Sequence, residues 1–483
     1  MESAAWSDSL FTGDWTRGSG PEVGVEEPAT GDELGRITLA TAADIIAAAD
    51  RAAAAQRTWA QTSYEERAAV LRRAGDLFGE HGAEIEDWLV REAGSIPPKA
   101  QLETHTAAQE CYEAAALPSH PLGEILATAK PRMSLARRVP AGVVGVISPF
   151  NFPLILSIRS VAPALALGNA VLLKPDPRTA VCGGYVLARV FQEAGLPDGV
   201  MQVLPGGADA GAALVEAPAV RVISFTGSTA AGRKVGEAAG RLLKRAHLEL
   251  GGNSALIVLD DADLERGISA AAFGSFIHQG QVCMTTGRHI VHESIADEYA
   301  ARLAEKADHL PVGDPARDPV ALGPIIDAGQ RDRIHALVSA SRDAGATIAA
   351  GGSYDGLFYR PTVVTDVRSD TPVWAEEVFG PVAPIARFST LDEAAGLAAG
   401  TEYGLSLGIL TRDVMKGVAL ADRIPSGLVH INDQTVDDEA VAPFGGVAAS
   451  GTGSRFGGAA ANVEAFTETQ WLTLQGEVSP YPF

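Results

Sequence analysis

Val143-Val144-Gly145-Val146-Ile147, Ala170-Val171-Leu172-Leu173, Met201-Gln202-Val203-Leu204 and Val222-Ile223-Ser224-Phe225 are short apolar runs that alternate with helical patterns such as Gly184 to Ala194 and Gly232 to Arg245. A strand that is apolar along its whole length is covered on both faces. Alternation of such strands with helices describes a parallel, doubly wound sheet. A second alternating block runs from about Ala255 to Leu410, with strand-like Ala255-Leu256-Ile257-Val258-Leu259 and helix-like Ile295 to Leu310. The expected class is therefore α/β. Upstream, Thr41 followed by Asp44 opens a helix running to about Ala60, and Glu65 to Glu92 reads as a second amphipathic helix. Tyr403 to Leu410 reads as one continuous apolar strand.

The chain has 483 residues with 46% apolar side chains, enough for two or three domains of a soluble protein. Its formal charge of −22 argues against nucleic acid and anionic membranes as partners, though a bound anion needs only local positive potential. Cys111, Cys182 and Cys283 are too few and too scattered for a disulfide framework or a metal site. Met1 to Asp8 lacks the basic start of a signal peptide, and no apolar run is long enough to span a bilayer. A cytoplasmic location is expected.

Ser224-Phe225-Thr226-Gly227-Ser228-Thr229-Ala230-Ala231-Gly232 follows an apolar strand and opens a helical pattern. Backbone N–H groups at such a turn can approach a pyrophosphate at the positive helix end. Lys174-Pro175 ends an earlier strand, where an ammonium can reach ribose hydroxyls or phosphate. Two other motifs do not carry the function. Gly451-Thr452-Gly453-Ser454-Arg455-Phe456-Gly457 imitates a dinucleotide fingerprint but lacks a preceding strand. Gly404-Leu405-Ser406-Leu407-Gly408 fits a serine nucleophile elbow but sits inside a strand.

Three further runs carry chemistry. In Gly280-Gln281-Val282-Cys283 the cysteine is a candidate nucleophile, since a thiolate attacks carbonyl carbon well and leaves well from a thioester. In Glu249-Leu250-Gly251-Gly252 the glutamate is a candidate base for the water that cleaves that thioester. In Pro149-Phe150-Asn151-Phe152-Pro153 the amide can steady an oxyanion. Each has a plainer reading, as core filler or turn residue, and Cys111 and Cys182 are assigned to the core. Joint occurrence in one order, downstream of a phosphate-binding turn, points to oxidation of an aldehyde through a covalent thio-intermediate.

With these motifs the chain resembles the aldehyde dehydrogenase superfamily, from about Thr41 to its end. Glu376-Glu377-Val378-Phe379-Gly380-Pro381 and Pro443-Phe444-Gly445-Gly446 extend the match. His430-Ile431-Asn432-Asp433-Gln434-Thr435 and the ending Trp471 to Phe483 are similar to those of bacterial benzaldehyde, vanillin and salicylaldehyde dehydrogenases. The resemblance implies Cys283 as nucleophile, Glu249 as base, and Asn151 with the Cys283 N–H as oxyanion donors. It implies a cofactor site of Ile147, Ser148, Pro149, Phe150, Lys174, Gly207, Phe225, Thr226, Gly227, Ser228, Leu250, Glu377 and Phe379, with no metal. The cofactor is NAD as first choice, with NADP open. The family's ribose-binding glutamate is here Pro177, followed by Arg178, which removes a repulsion toward a 2′-phosphate. The usual lysine after the Phe-Gly-Gly run is replaced by Val447-Ala448.

By the same resemblance, residues 1–123 and 141–252 form a Rossmann-type cofactor domain and 253–459 an α/β catalytic domain. Residues 124–140 and 460–483 form a small β oligomerisation arm, giving a homodimer or homotetramer. The implied reaction is NAD(P)-dependent oxidation of an aromatic aldehyde to the acid. Aliphatic or semialdehyde oxidation, an acylating coenzyme A-dependent reaction and a non-catalytic scaffold are the alternatives. Glu249 argues against the acylating one.

Overall fold

The computed structural model describes residues 6–483; the first residues of the N-terminal stretch, 1–5, lie outside the described residues. The first sheet has the spatial order Arg245–Glu249, Val220–Thr226, Val143–Ile147, Ala170–Lys174, Met201–Val203, Ser9–Phe11, Trp15–Arg17. Its first five strands run parallel, and the two N-terminal strands add antiparallel. Val143–Ile147 and Ala170–Lys174 are buried at every residue, as strands covered on both faces must be. The chain steps outward from Val143–Ile147 to Met201–Val203, then returns to the opposite side at Val220–Thr226. A topological switch point therefore opens between the carboxyl ends of Val143–Ile147 and Val220–Thr226, where open α/β sheets take their ligands.

The second sheet has the order Thr347–Ala350, Thr362–Thr365, Val382–Phe388, Thr286–His292, Ser254–Val258, Ser406–Leu410, Leu428–Ile431, parallel except for Thr347–Ala350. Only Leu250 to Asn253 separate the edge strand of the first sheet from an inner strand of the second. In a third sheet, Met133–Pro140 pairs antiparallel with Thr467–Leu474, from Pro140 opposite Thr467 to Met133 opposite Leu474, and Gly123–Ile125 lies on its other side. Thr467–Leu474 is thus an edge strand, and it exposes Trp471 and Leu474. The helix before it, Ala459–Phe466, sets Ala465 and Phe466 into the core of the first sheet.

Several elements differ from the sequence reading. The helix expected over Glu65 to Glu92 is two, Tyr64–Glu80 and Gly82–Ala93, because His81 at φ −95° and ψ 9° leaves helical geometry between two glycines of low helix propensity. The helical pattern Gly184 to Ala194 is a π-helical turn, Val181–Tyr185, followed by the helix Val186–Glu193. The one at Gly232 to Arg245 is the helix Thr229–Arg241, and Arg245 already belongs to the next strand. Tyr403 to Leu410 is not continuous: Tyr403–Gly404 pairs with Val447–Ala448, and Ser406–Leu410 joins the second sheet. Ser406 is buried and donates to the Thr435 carbonyl at 2.7 Å, so it is no nucleophile.

The helix Ala42–Trp59 carries the expected capping box, Thr41 and Asp44 each bonding the other's backbone N–H. At its far end Trp59 Nε1 donates to the Leu165 carbonyl at 2.9 Å, fastening it to the helix Pro153–Ala166 behind the first sheet. Leu165 O also accepts from the Gly168 N–H. Trp59→Phe, which keeps the ring but removes this donor, should therefore cost about 1 kcal/mol in denaturant unfolding. Trp59→Ala should cost about 3–5 kcal/mol through the cavity it leaves. Equal stabilities for wild type and Trp59→Ala would contradict this packing.

Candidate active site

Glu249 is the last residue of its strand, and the cysteine run ends just before Thr286–His292, whose neighbour in the second sheet is Ser254–Val258. This register brings the Glu249 and Cys283 segments together. A Cβ on Gly252 would lie 2.5 Å from the Cys283 carbonyl oxygen, so the close approach requires glycine. The cysteine loop is itself strained: His278 and Gln279 hold positive φ, as does Gly280, where a Cβ would meet the Gly380 carbonyl oxygen at 2.1 Å.

Two clefts converge here. One is apolar, walled by side chains such as Leu102, Phe273, Ile277, Met284 and Phe444. The other opens at the switch point of the first sheet and is lined by the expected Pro149, Phe150, Thr226, Gly227, Ser228, Leu250, Glu377 and Phe379. Asn151, Leu156 and Cys283 line both. Ile147, Ser148, Lys174, Gly207 and Phe225, also expected there, are not part of its lining. Lys174 is buried, donates to the Gly206 carbonyl at 2.6 Å and stands beside Gly211.

Glu249 lines neither cleft. Its carboxylate is buried, and neither oxygen has a partner at hydrogen-bond distance. Burial pushes it up to about 8, against the pull of the Arg159 and Arg455 guanidinium groups and, more weakly, the Gly446 N–H. Burial also pushes the Cys283 thiol up to about 12, with the Glu377 and Glu249 carboxylates adding to the rise and Arg159 opposing it. A carboxylate and a thiol both strongly perturbed by burial at one seam mark a candidate catalytic site. Cys111 and Cys182 are fully buried in the first core.

The switch-point cleft fits a dinucleotide. The helix Thr229–Arg241 starts at its rim, with Ser228 as N-cap accepting from the Ala231 N–H at 3.3 Å, so its first N–H groups face the cleft. The Gly227 N–H donates to the Glu249 carbonyl at 3.0 Å, tying that turn to the end of the strand Arg245–Glu249. Glu377 accepts from the Gly252 N–H at 3.1 Å, and Phe379, at φ 53°, turns its ring edge-on to Phe150 with centroids 5.9 Å apart.

Sequence reasoning missed Arg159, Asp438 and the walls of the apolar cleft. Arg159 is ion-paired with Asp438 and lies 4.3 Å over the Phe444 ring, while its Nε and Nη1 have no partner. A signal existed: Arg159 is the one charge in the wholly buried helix Pro153–Ala166, and a charge survives burial only where something faces it. The decoy run Gly451 to Gly457 is a loop laid along the catalytic strand, with Gly451 bridging to Glu249.

Comparison with known proteins agrees with this geometry. The family model described as "Aldehyde dehydrogenase family" matches residues 15–472. Vanillin dehydrogenase of Amycolatopsis sp. is 70% identical over 483 residues, covering 100% of this chain and 99% of that protein. Benzaldehyde dehydrogenase [NAD(+)] of Pseudomonas putida is 49% identical over the same shares. The crystal structure of a salicylaldehyde dehydrogenase from Pseudomonas putida G7, complexed with salicylaldehyde, superposes with a TM-score of 0.94 at 36% identity, covering 99% of each chain. The chain belongs to the aldehyde dehydrogenase family.

Proposed function

We propose that this enzyme oxidises aromatic aldehydes of the vanillin and benzaldehyde type to carboxylic acids, with NAD in preference to NADP. The observation that carries this reading is the shared wall: Cys283 and Asn151 face both an apolar cleft suited to a ring and a cleft suited to a dinucleotide. The names of the 70% and 49% identical relatives support the substrate class.

Cys283 attacks the carbonyl carbon, and the Asn151 amide with the Cys283 N–H receives the oxyanion of the thiohemiacetal. Bound NAD supplies the hydride acceptor. Glu249 then takes a proton from the water that cleaves the thioester, releasing the acid and the thiol. The cysteine's raised pKa means the resting site stores a thiol rather than a thiolate, so attack also needs a proton acceptor. Glu249, at about 8, is one of two carboxylates near neutrality that act on the thiol, the other being Glu377 at about 7.

For the cofactor, Arg178 is already engaged. It bonds Asp176 at 2.8 and 2.9 Å and Asp327 at 2.5 Å, and stacks 4.3 Å over Phe150. A guanidinium so neutralised offers little to a 2′-phosphate. The free cysteines and the exposed edge strand Thr467–Leu474 support a cytoplasmic homodimer or homotetramer. No helix among the described residues is long and apolar enough to cross a membrane.

Glu249→Gln should give a burst of NADH near one equivalent per site, followed by slow turnover, with an aroyl adduct on Cys283 by mass spectrometry. Loss of the burst as well would move Glu249 to an earlier step. Because the carboxylate form exists mainly above its raised pKa, wild-type deacylation should rise with pH through about 8 and fall below it, and Glu249→Gln should flatten that limb. A kcat/KM comparison should favour NAD over NADP, and Pro177→Glu should weaken NADP further. A wild type that prefers NADP would refute the cofactor reading.

A further inference from the structure

Beneath the Asn151 loop lies a buried ion pair that the reaction as described does not use. Lys99 and Glu103 sit one turn apart on the helix Pro97–Ala116, and both side chains are fully buried. Lys99 Nζ pairs with Glu103 Oε1 and also donates to Ser95 Oγ at 3.0 Å and to the Asn151 carbonyl at 2.8 Å. Its ammonium lies 4.3 Å over the Phe152 ring. The other Glu103 oxygen accepts from the Leu154 and Ile155 N–H groups at 3.1 and 3.3 Å. These are the open N–H groups at the start of the helix Pro153–Ala166, whose N-cap residue Phe152 provides no side-chain cap.

One ion pair therefore grips the chain at Asn151's own carbonyl and again at the two amides that follow Pro153. The grip reaches the nucleophile's loop too, since the Phe152 ring meets His278 edge-on at 5.5 Å. Burying two charges is costly, and apolar packing would hold a loop with less penalty. What the pair adds is direction. An oxyanion donor must stand about 2.7–3.1 Å from the reacting oxygen, a tolerance that directed bonds meet better than greasy contacts. The same helix presents Leu102 and Thr106 to the apolar cleft, so the clamp and the wall of the ring site share one rigid body.

We propose that Lys99 and Glu103 are positioning residues that set the Asn151 amide against Cys283 and act on catalysis through Asn151. This rests on Asn151 being the oxyanion donor.

The test is a double-mutant cycle on the full enzyme, read by the rate of the NADH burst, the KM for a benzaldehyde substrate, the NADH affinity by fluorescence and the melting temperature. Asn151→Ala alone should slow the burst by about 10² to 10³. Lys99→Met with Glu103→Gln, which removes the charges without leaving one unpaired, should slow it by about tenfold to a hundredfold. NADH affinity should stay within about twofold. In the Asn151→Ala background the same pair of changes should cost less than about threefold, because the donor being positioned is already gone. Lys99→Arg should recover part of the rate. Should the double change fail to fold, Glu103→Gln alone keeps the cation and an acceptor for both amides, and it should slow the burst by about threefold or more only when Asn151 is present. Equal losses in both backgrounds, or a lower melting temperature with an unchanged burst, would overturn the proposal. A harmless Asn151→Ala would instead remove the oxyanion reading on which it stands.

Discussion

Four residues, Leu250 to Asn253, carry the chain from the carboxyl end of one parallel sheet to the amino end of another, and the geometry of the site follows from that short crossing. With so little chain available, Glu249 must end at the seam between the sheets. The strand that opens the second sheet must also lie beside the one that Cys283 precedes. The two glycines of the crossing have no room for side chains. A Cβ on Gly251 would sit 2.2 Å from a Glu377 oxygen, and Gly252 presses against the cysteine's own carbonyl. The Glu-Leu-Gly-Gly run is thus one mechanical unit: a buried carboxylate, an apolar residue set into the first core, and two glycines that let neighbouring segments approach closely.

Desolvation is the second theme of this seam. Glu249, Glu377 and Glu110 are carboxylates raised by burial to about 8, 7 and 8, and each sits where few donors offset the cost. Arg159 supplies an opposing field that reaches Glu249, Glu110 and Cys283 together. Groups poised near neutrality can exchange protons at working pH, whereas a well-bonded carboxylate in the usual range would stay ionised throughout. The site accepts local instability as the condition of its chemistry.

Much of this was legible in the sequence, for stated reasons. The strands around Val143 and Ala170 announce themselves because burial on both faces leaves them apolar except for the terminal Lys174. Cys283, Glu249 and Asn151 stand out because small residues and prolines isolate them. The strand Arg245–Glu249 did not show, because Arg245, His247 and Glu249 alternate with apolar residues and its solvent-like pattern hides a buried edge. Ser9–Phe11 and Trp15–Arg17 are three residues each, too short for periodicity to register. The pairs Lys99–Glu103 and Arg159–Asp438 were invisible for another reason. Their meaning lies in what they face, Asn151 in one case and the ring cleft in the other, and no spacing along the chain encodes that.

The two clefts share only Asn151, Leu156 and Cys283. The remaining walls of the ring cleft, Phe273, Ile277, Met284 and Phe444 among them, are separate from the residues that line the dinucleotide side. Mutation of those walls can therefore reshape which aldehyde is accepted while the residues lining the dinucleotide side keep their identity. One scaffold of this kind can diversify across a whole family of ring substituents by drifting along a single wall.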